Sequence, residues 1–372
     1  MKSTDFAKLI INEKIVSLLT ENLENLFNIE LDGFIGSHPI GLNLDNKDLL
    51  LENNYYVCEK TDGIRVMLYV TNHCVYLYDR LNRFYLTDYR FKDKTKTYLF
   101  DGEMFKEEEK YYYYIFDTLI FESKNVIDFT FDVRLGYAKY FAMKLVPLNI
   151  LVKKDVEFFK FNILFKQMIR SYYFDYVLKS ISKLKHENDG LIFTPVNEPY
   201  ELYTQTNILK WKPPSLNTLD FLVEETEYKG IYKLYGLLER HQVKSDLKLK
   251  NIAMTGMNTK IFFDYFNDYE FVFDRNCKVY EFVWDDKKET LNLDDFSVII
   301  GGWKFHKKRT DKSAPNNIKI LYVQIQSLKD VITDTDLLKL KSQMQENYEK
   351  RKKGESKNKE DNFQEENVKK FK

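Results

Sequence analysis

The chain has 372 residues, with 57 Lys and Arg against 57 Asp and Glu, so its formal net charge is zero and it lacks the basic excess of proteins that track long nucleic acids. A hydrophobic content of 44% and an aromatic content of 16% support two ordinary cores, and the length makes two domains the first expectation. No apolar run approaches a membrane span, three cysteines (Cys58, Cys74, Cys277) argue for a reducing compartment, and they and five scattered histidines lack the pair-plus-pair spacing of structural zinc.

The opening segment carries Asp5, Glu13 and Glu21 among its apolar residues, so it is not a signal peptide. Ile11, Ile15, Leu18, Leu19, Leu23 and Leu26 predict an amphipathic helix. From Asp32 to Pro214 strand patterns dominate, which predicts an α+β body. Within it, Lys60-Thr61-Asp62-Gly63-Ile64-Arg65 lies between the apolar runs Tyr55–Glu59 and Val66–Val70. A lysine beside a carboxylate, a glycine and an arginine suits an amine that attacks phosphorus. An ammonium has no lone pair, and keeping a lysine neutral near pH 7 costs about 4–5 kcal/mol from its reference pKa of ~10.4. Neighbouring cations such as Arg65, desolvation and a divalent metal near the phosphate favour the nucleophilic form. Gly63 allows close approach of backbone to a ligand. Those few letters alone more often mark a turn lysine before an Asp-Gly hairpin.

Four polar clusters follow in strand-like surroundings. Tyr98–Phe105 places Asp101 and Glu103 on one strand face by the period of two. Tyr111–Phe121 reads as a buried aromatic strand holding Phe116-Asp117. Helical patterns are predicted over Asp132–Leu145 and over Asn162–Leu184, where Leu164, Met168, Ile169 and Tyr172 fall at helix spacing. His186–Phe193 sets Asp189 and Gly190 before a short apolar strand. Asn207–Pro214 then puts Lys210 and Lys212 on one face of a strand ended by proline, a pair of point cations suited to a phosphate. Beyond Pro213-Pro214, short strands are predicted at Leu219–Glu224, Tyr232–Leu238, Lys260–Phe266, Tyr269–Phe273 and Lys278–Trp284, which suits a small barrel. An amphipathic helix is predicted over Ile325–Tyr348, and the Lys/Glu/Asn-rich tail after Lys350 is expected to be disordered.

In this order the motifs resemble the eukaryotic mRNA capping enzyme guanylyltransferases, members of the covalent nucleotidyltransferase superfamily that includes ATP- and NAD-dependent polynucleotide ligases. Besides the clusters above, the resemblance rests on Gly36-Ser37-His38-Pro39, Tyr78-Asp79-Arg80, Leu216–Phe221, Trp303 and Arg309–Asn316. Thr61, where ligases usually carry a bulky residue, and the Arg309-to-Asn316 element favour capping over ligation. The resemblance implies a nucleotidyltransferase domain built on antiparallel sheet over residues 1–216, an OB-fold over 217–324 and a final helix over 325–349 that packs back on the first domain, with the charged tail at 350–372.

It also implies roles. Lys60 attacks the α-phosphorus of GTP to give a lysyl-GMP phosphoamidate, and the 5′-diphosphate end of RNA then takes the GMP. Arg65 and Glu103 hold the ribose and neighbouring phosphate, Arg80 reaches a phosphate of GTP or of the RNA end, and Phe116 stacks on guanine with Thr61 near its edge. Asp189 organises a Mg2+ or Mn2+ ion, Lys210 and Lys212 neutralise the α-phosphate, and Arg309, Asp311 and Lys312 grip the pyrophosphate from the other domain, so that domain closure is expected in the first step. Taken singly, Glu103 and Asp189 suit surface carboxylates equally well, Phe116 suits a core, and Lys210 with Lys212 suits a solvated edge. Arg309 amid Lys304, His306, Lys307 and Lys308 suits a solvated basic face. The ordered series is what favours function. No phosphatase-like or methyltransferase-like region is identified, so a separate RNA 5′-triphosphatase subunit is expected, as in fungi, and the resemblance implies the phosphorylated C-terminal tail of RNA polymerase II as a partner and a nuclear location. The alternatives are an ATP-dependent polynucleotide ligase forming lysyl-AMP, and an inactive scaffold that binds RNA ends.

Overall fold

The structure is a computed structural model that describes residues 7–152, 161–203, 207–239, 258–310, 312–322 and 331–370. It divides into two compact units, one formed by Met1–Trp211 with Asp334–Lys372 and the other by Lys212–Thr333.

In chain order the strands of the first unit are β1 (Lys8–Leu9), β2 (Ile40–Gly41), β3 (Tyr55–Thr61), β4 (Ile64–Thr71), β5 (Cys74–Asp79), β6 (Phe84–Phe91), β7 (Tyr98–Glu107), β8 (Lys110–Phe121), β9 (Lys124–Asn125), β10 (Ile150–Val152), β11 (Phe161–Phe165), β12 (Ile169–Arg170), β13 (Asn188–Pro195) and β14 (Leu209–Trp211). They form a nine-stranded sheet whose main path is β1-β6-β5-β4-β7-β8-β11, and a five-stranded sheet in the order β12-β3-β13-β14-β2. Aromatic and β-branched residues favour these strands because their side chains pack well on a pleated surface. Both faces of the large sheet are buried. Val66, Leu68 and Val70 of β4 join one core, and Met67 and Tyr69 join the other, where helix α1 (Glu13–Phe27) lies. Asn12 starts α1 by accepting from the backbone of Lys14 and Ile15 through its side chain, and Asn28 ends it in a left-handed conformation. Leu19, Leu23 and Phe27 are the residues it buries, whereas Ile11, Ile15 and Leu18, expected on the same stripe, are exposed.

The remaining helices of this unit are α2 (Leu49–Glu52), α3 (Phe131–Tyr140), continued as one π-helical turn over Phe141–Leu145, α4 (Val146–Asn149) and α5 (Phe174–Ile181). The helix expected over Asn162–Leu184 is therefore corrected. Phe161 and Ile163 are buried while Asn162 and Leu164 are exposed, a period of two, and β11 runs parallel to β8. After a 3-10 turn over Ser171–Tyr173, α-helix begins only at Phe174.

The last helix, α6, spans Asp334–Lys370. Residues 325–330 of the expected helix lie outside the described residues. The expectation of a disordered tail from 350 is also corrected, because the helix runs on through it. Lys, Glu and Gln in that stretch are good helix formers even without an apolar face. α6 returns to the first unit through buried Leu337 and Met344, through Arg351, which donates to the carbonyl of Leu51 (2.8 Å) and to Asn54 Oδ1 (2.9 Å), and through Lys341, 2.8 Å from Asp175. No helix among the described residues is long and apolar enough to cross a membrane.

In the second unit β15 (Thr218–Glu225), β16 (Ile231–Glu239), β17 (Asn258–Asn267), β18 (Val279–Leu291) and β19 (Val298–Lys308) form one antiparallel sheet in the order β17-β16-β15-β18-β19. These neighbour relations fit the expected OB-fold. Tyr269–Phe273, predicted as a strand, is a loop. Asp268 accepts from the backbone of Glu270 (2.9 Å), which diverts the chain, and Phe271 enters the core with Phe273 packed against it while Tyr269 and Val272 are exposed. Strand β19 was not expected. It carries Trp303, fully buried against Phe221 and Trp284, with Nε1 donating to Asp264 Oδ2 (2.9 Å). Trp303→Ala should destabilise this unit by about 3–5 kcal/mol, read by chemical denaturation, because it opens a cavity and strands a buried carboxylate.

Candidate active site

β3 carries Lys60 next to its end. Cys58 lies opposite Ile192 of β13, and Ile192 lies opposite Lys210 of β14, so these side chains point to one face of the small sheet. Lys60, two residues on from Cys58, follows the pleat to the same side. Its Nζ donates to Asp189 Oδ1 at 2.5 Å, with both side chains about one-fifth exposed. The register thus sets Lys60 and Lys210 on one side of this sheet, and Asp189 reaches Lys60 through its side chain. Cys58 forms part of the wall, and burial pushes its thiol up to about 12.

The large sheet supplies the facing wall. Arg65 of β4 pairs with Glu103 of β7, and Met67 pairs with Asp101, so Arg65, Asp101 and Glu103 share a face. Arg65 is not the bare cation expected beside Lys60. Its Nε and Nη2 donate to the two oxygens of Asp101 at 2.9 and 2.5 Å, and its Nη1 donates to the Ser37 carbonyl. Burial alone would pull this guanidinium down, but Asp101 outweighs it and holds the charge in place. Asp101 also accepts from Tyr200 (2.6 Å), whose oxygen accepts from the Ser37 backbone (3.0 Å). This buried network ties the Gly36–Pro39 segment to the sheet. It makes Arg65 a preset donor, with its guanidinium 5.6 Å from the ring centroids of both Phe34 and Phe116. Asp117, next to Phe116, is buried against Arg134 of α3 (2.8 and 3.1 Å) and anchors that strand.

Lys166 is the functional candidate that the sequence reading missed. It is 4% exposed, lines the cleft, and donates to Thr61 Oγ1 (2.5 Å) and to Glu59 Oε1. It also stands 4.7 Å over the Tyr114 ring. A lysine is buried this deeply only when it is paired. Helix spacing assigned to Leu164–Tyr172 hid it, since it follows directly after strand β11.

Gly63 is required by a close approach within the protein, because a Cβ there would sit 2.4 Å from the Met104 carbonyl of β7. Its N–H donates to Glu103 Oε1 (3.1 Å). Burial raises the Glu103 carboxyl above its ordinary range, against the pull of Lys60 and Lys166. A raised carboxylate contributes stability that is present at low pH and is lost as pH rises. Glu103→Gln, which can still accept from Gly63, is therefore expected to raise the melting temperature by a few degrees at pH 7–8. The gain should vanish as pH falls toward the ordinary glutamate value of about 4.3, checked by melting curves across pH. Burial, Arg65 and Arg80 lower His38.

Arg80, Phe116 and Thr61 line the same cleft as Lys60, Arg65 and Glu103. Lys212 begins the second unit, where Arg309 Nη1 lies 3.1 Å from Asp220 and Lys312 also pairs with that buried aspartate. Asp311 lies outside the described residues. Among the described residues no three His, Cys, Asp or Glu side chains cluster to hold an ion. One carboxylate such as Asp189 with substrate phosphate oxygens is nevertheless an ordinary magnesium set, so Asp189 fits an ion that arrives with a nucleotide.

Comparison with known proteins adds the family. The model described as "mRNA capping enzyme, catalytic domain" matches residues 3–214, and "mRNA capping enzyme, C-terminal domain" matches residues 216–338. The mRNA-capping enzyme subunit alpha of Schizosaccharomyces pombe is 29% identical over 91% of this chain and 87% of its own length. That of Saccharomyces cerevisiae is 33% identical over 50% of this chain and 47% of its own. Among solved structures, a mycobacterial DNA ligase D complexed with ATP and MES matches 81% of this chain and 98% of its own, at 11% identity and a TM-score of 0.37.

Proposed function

The chain belongs to the mRNA capping enzyme family, and we propose that it works as a guanylyltransferase through a covalent GMP on Lys60. The observation that carries this reading is Lys60 Nζ at the floor of a cleft, 2.5 Å from Asp189, facing Arg65 and Glu103. In the first half-reaction the amine forms a P–N bond to the α-phosphorus of GTP, and pyrophosphate leaves. In the second, an oxygen of the RNA 5′-diphosphate forms a P–O bond to that phosphorus. The P–N bond breaks, and its electron pair returns to Nζ, which takes a proton.

Each wall then has a task. Asp189 orients the amine and gives its proton an acceptor. Arg65, preset by Asp101, and Arg80 hold phosphate and sugar with Glu103, and Lys210 and Lys212 meet charge growing on the α-phosphate. Arg309, Asp311 and Lys312 take the departing pyrophosphate. Asp189 would hold Mg2+ or Mn2+ with the phosphate oxygens, and the ion supplies further neutralisation of charge. The base stacks on Phe116, with Lys166 and Thr61 at its edge. The buried ammonium of Lys166 only donates, which matches the O6 acceptor of guanine and opposes the amino group at the same place on adenine.

The fungal relatives are named as alpha subunits, which supports a separate subunit for the triphosphatase step. The phosphorylated tail of RNA polymerase II as a partner, and the nucleus as the place of action, belong to the same reading. Incubation with α-labelled GTP or ATP and magnesium tests it. Label from GTP on Lys60 supports the reading, label from ATP alone makes the protein a ligase, and no label from either removes the enzyme.

A further inference from the structure

Beyond Arg80 the polar cleft continues away from the base end. This outer part, about 550 Å3, shares Lys60, Arg65, Arg80 and Glu103 with the nucleotide pocket and adds Asp62 and Arg83, which the nucleotide pocket lacks. The strand order sets the cations in a row. Arg65 lies on β4, and the turn from β5 to β6, the next two strands, carries first Arg80 and then Arg83. With neighbouring strands ~4.8 Å apart, Arg83 stands further from Arg65 than Arg80 does.

Arg83 is held in place. Its Nε and Nη2 donate to Asp79 Oδ2 at 2.9 and 2.7 Å, and its guanidinium lies 5.7 Å from the Tyr85 ring centroid. Asp79 also accepts from Tyr85 (2.9 Å) and from the backbone of Leu81 (2.9 Å) and Arg83 (3.0 Å). Burial pushes the Asp79 carboxyl up, but these donors outweigh it and keep the carboxyl below its ordinary range, so the Arg83 anchor stays charged. The Arg83 side chain is 46% exposed and faces the cleft, unlike the buried Arg65.

In-line displacement decides what fills this space. A group attacking the GMP on Lys60 enters opposite the P–N bond, where pyrophosphate left. Pyrophosphate and the RNA diphosphate therefore use the same inner region. Pyrophosphate ends there, whereas RNA runs on into a ribose and further phosphates, which call for a cation and for carboxylates that accept from hydroxyls.

We propose that the outer cleft seats the 5′ end of the acceptor RNA, with Arg83 binding a phosphate that GTP does not present. This rests on the assignment of Lys60 as the GMP carrier. A phosphate oxygen of the RNA end forms the new P–O bond, the P–N bond breaks, and Nζ recovers its electron pair and a proton.

The test charges Arg83→Gln and Arg83→Lys proteins with GMP and chases each with inorganic pyrophosphate or with a short 5′-diphosphate RNA, since both attack the same phosphorus. Gln keeps a donor for Asp79. Labelling and the pyrophosphate chase should run at wild-type rates in both variants. Transfer to RNA at low concentration should fall about ten-fold in the Gln variant, through KM and not kcat, and Lys should retain most of it. Equal loss in both chases, or no loss with RNA, overturns the proposal. A second measurement needs no variant. In the wild-type enzyme–GMP, the RNA should shield Arg83 from phenylglyoxal, read by peptide mass, and pyrophosphate should not; absence of shielding overturns the proposal even if the Gln variant fails to fold. If the wild-type protein takes no label at all, the Lys60 reading fails instead, so the two outcomes stay distinct.

Discussion

Lys60→Ala is expected to take up no nucleotide from GTP, a loss of more than about 10⁴-fold in the rate of label incorporation. The Lys60 amine, which donates to Asp189, is the bond-forming atom, not an accessory to it. Lys60→Arg should be as inactive. A guanidinium keeps the charge and can meet Asp189, yet it stays protonated at any working pH and offers no lone pair. Both variants should fold, because Asp189 is partly exposed and water can replace its lysine partner. Melting curves matching the wild type would confirm that. The label on the wild-type protein should be acid-labile and alkali-stable, as a P–N bond is, and should map by peptide mass to the segment holding Lys60. Label retained by the alanine variant, or found on another side chain, defeats the assignment.

What the sequence made legible was local. Asp101 and Glu103 share a face because strands alternate with a period of two, while Lys60 and Asp189 were picked out by the resemblance that the ordered motifs carry. Pairings across strands were not legible. Arg65 reads as a free cation until β4 and β7 bring it to Asp101, 36 residues away in sequence. Lys166 was hidden by period as well as distance, since a short apolar stretch such as Leu164–Tyr172 fits helix spacing and strand alternation equally until a partner strand selects one. The contact of Gly63 with the Met104 carbonyl was not legible either, because it too crosses between strands. The tail after Lys350 shows the converse error, because low hydrophobicity excludes a core contact without excluding a helix.

The choice of nucleotide is expected to turn on Lys166. Glu59→Gln/Lys166→Met, which removes the ammonium without stranding its buried partner, should label from GTP about 100-fold or more slowly. Its weak labelling from ATP should not fall with it, so that the ratio between the two nucleotides collapses. The discrimination comes from unpaired groups. In the native cleft the ammonium is already desolvated and held by Glu59 and Thr61, so a guanine O6 adds an acceptor at little cost. Adenine instead brings an amino donor against a donor, and a site built to bond one group rejects its opposite strongly. Methionine fills similar volume and favours neither base. Thr61→Val tests the other half of the contact and should weaken GTP labelling less, because it removes one acceptor of the ammonium but not the charge. Competition between labelled GTP and ATP for the same enzyme gives the ratio directly, and an unchanged ratio in the double variant would move base recognition away from Lys166.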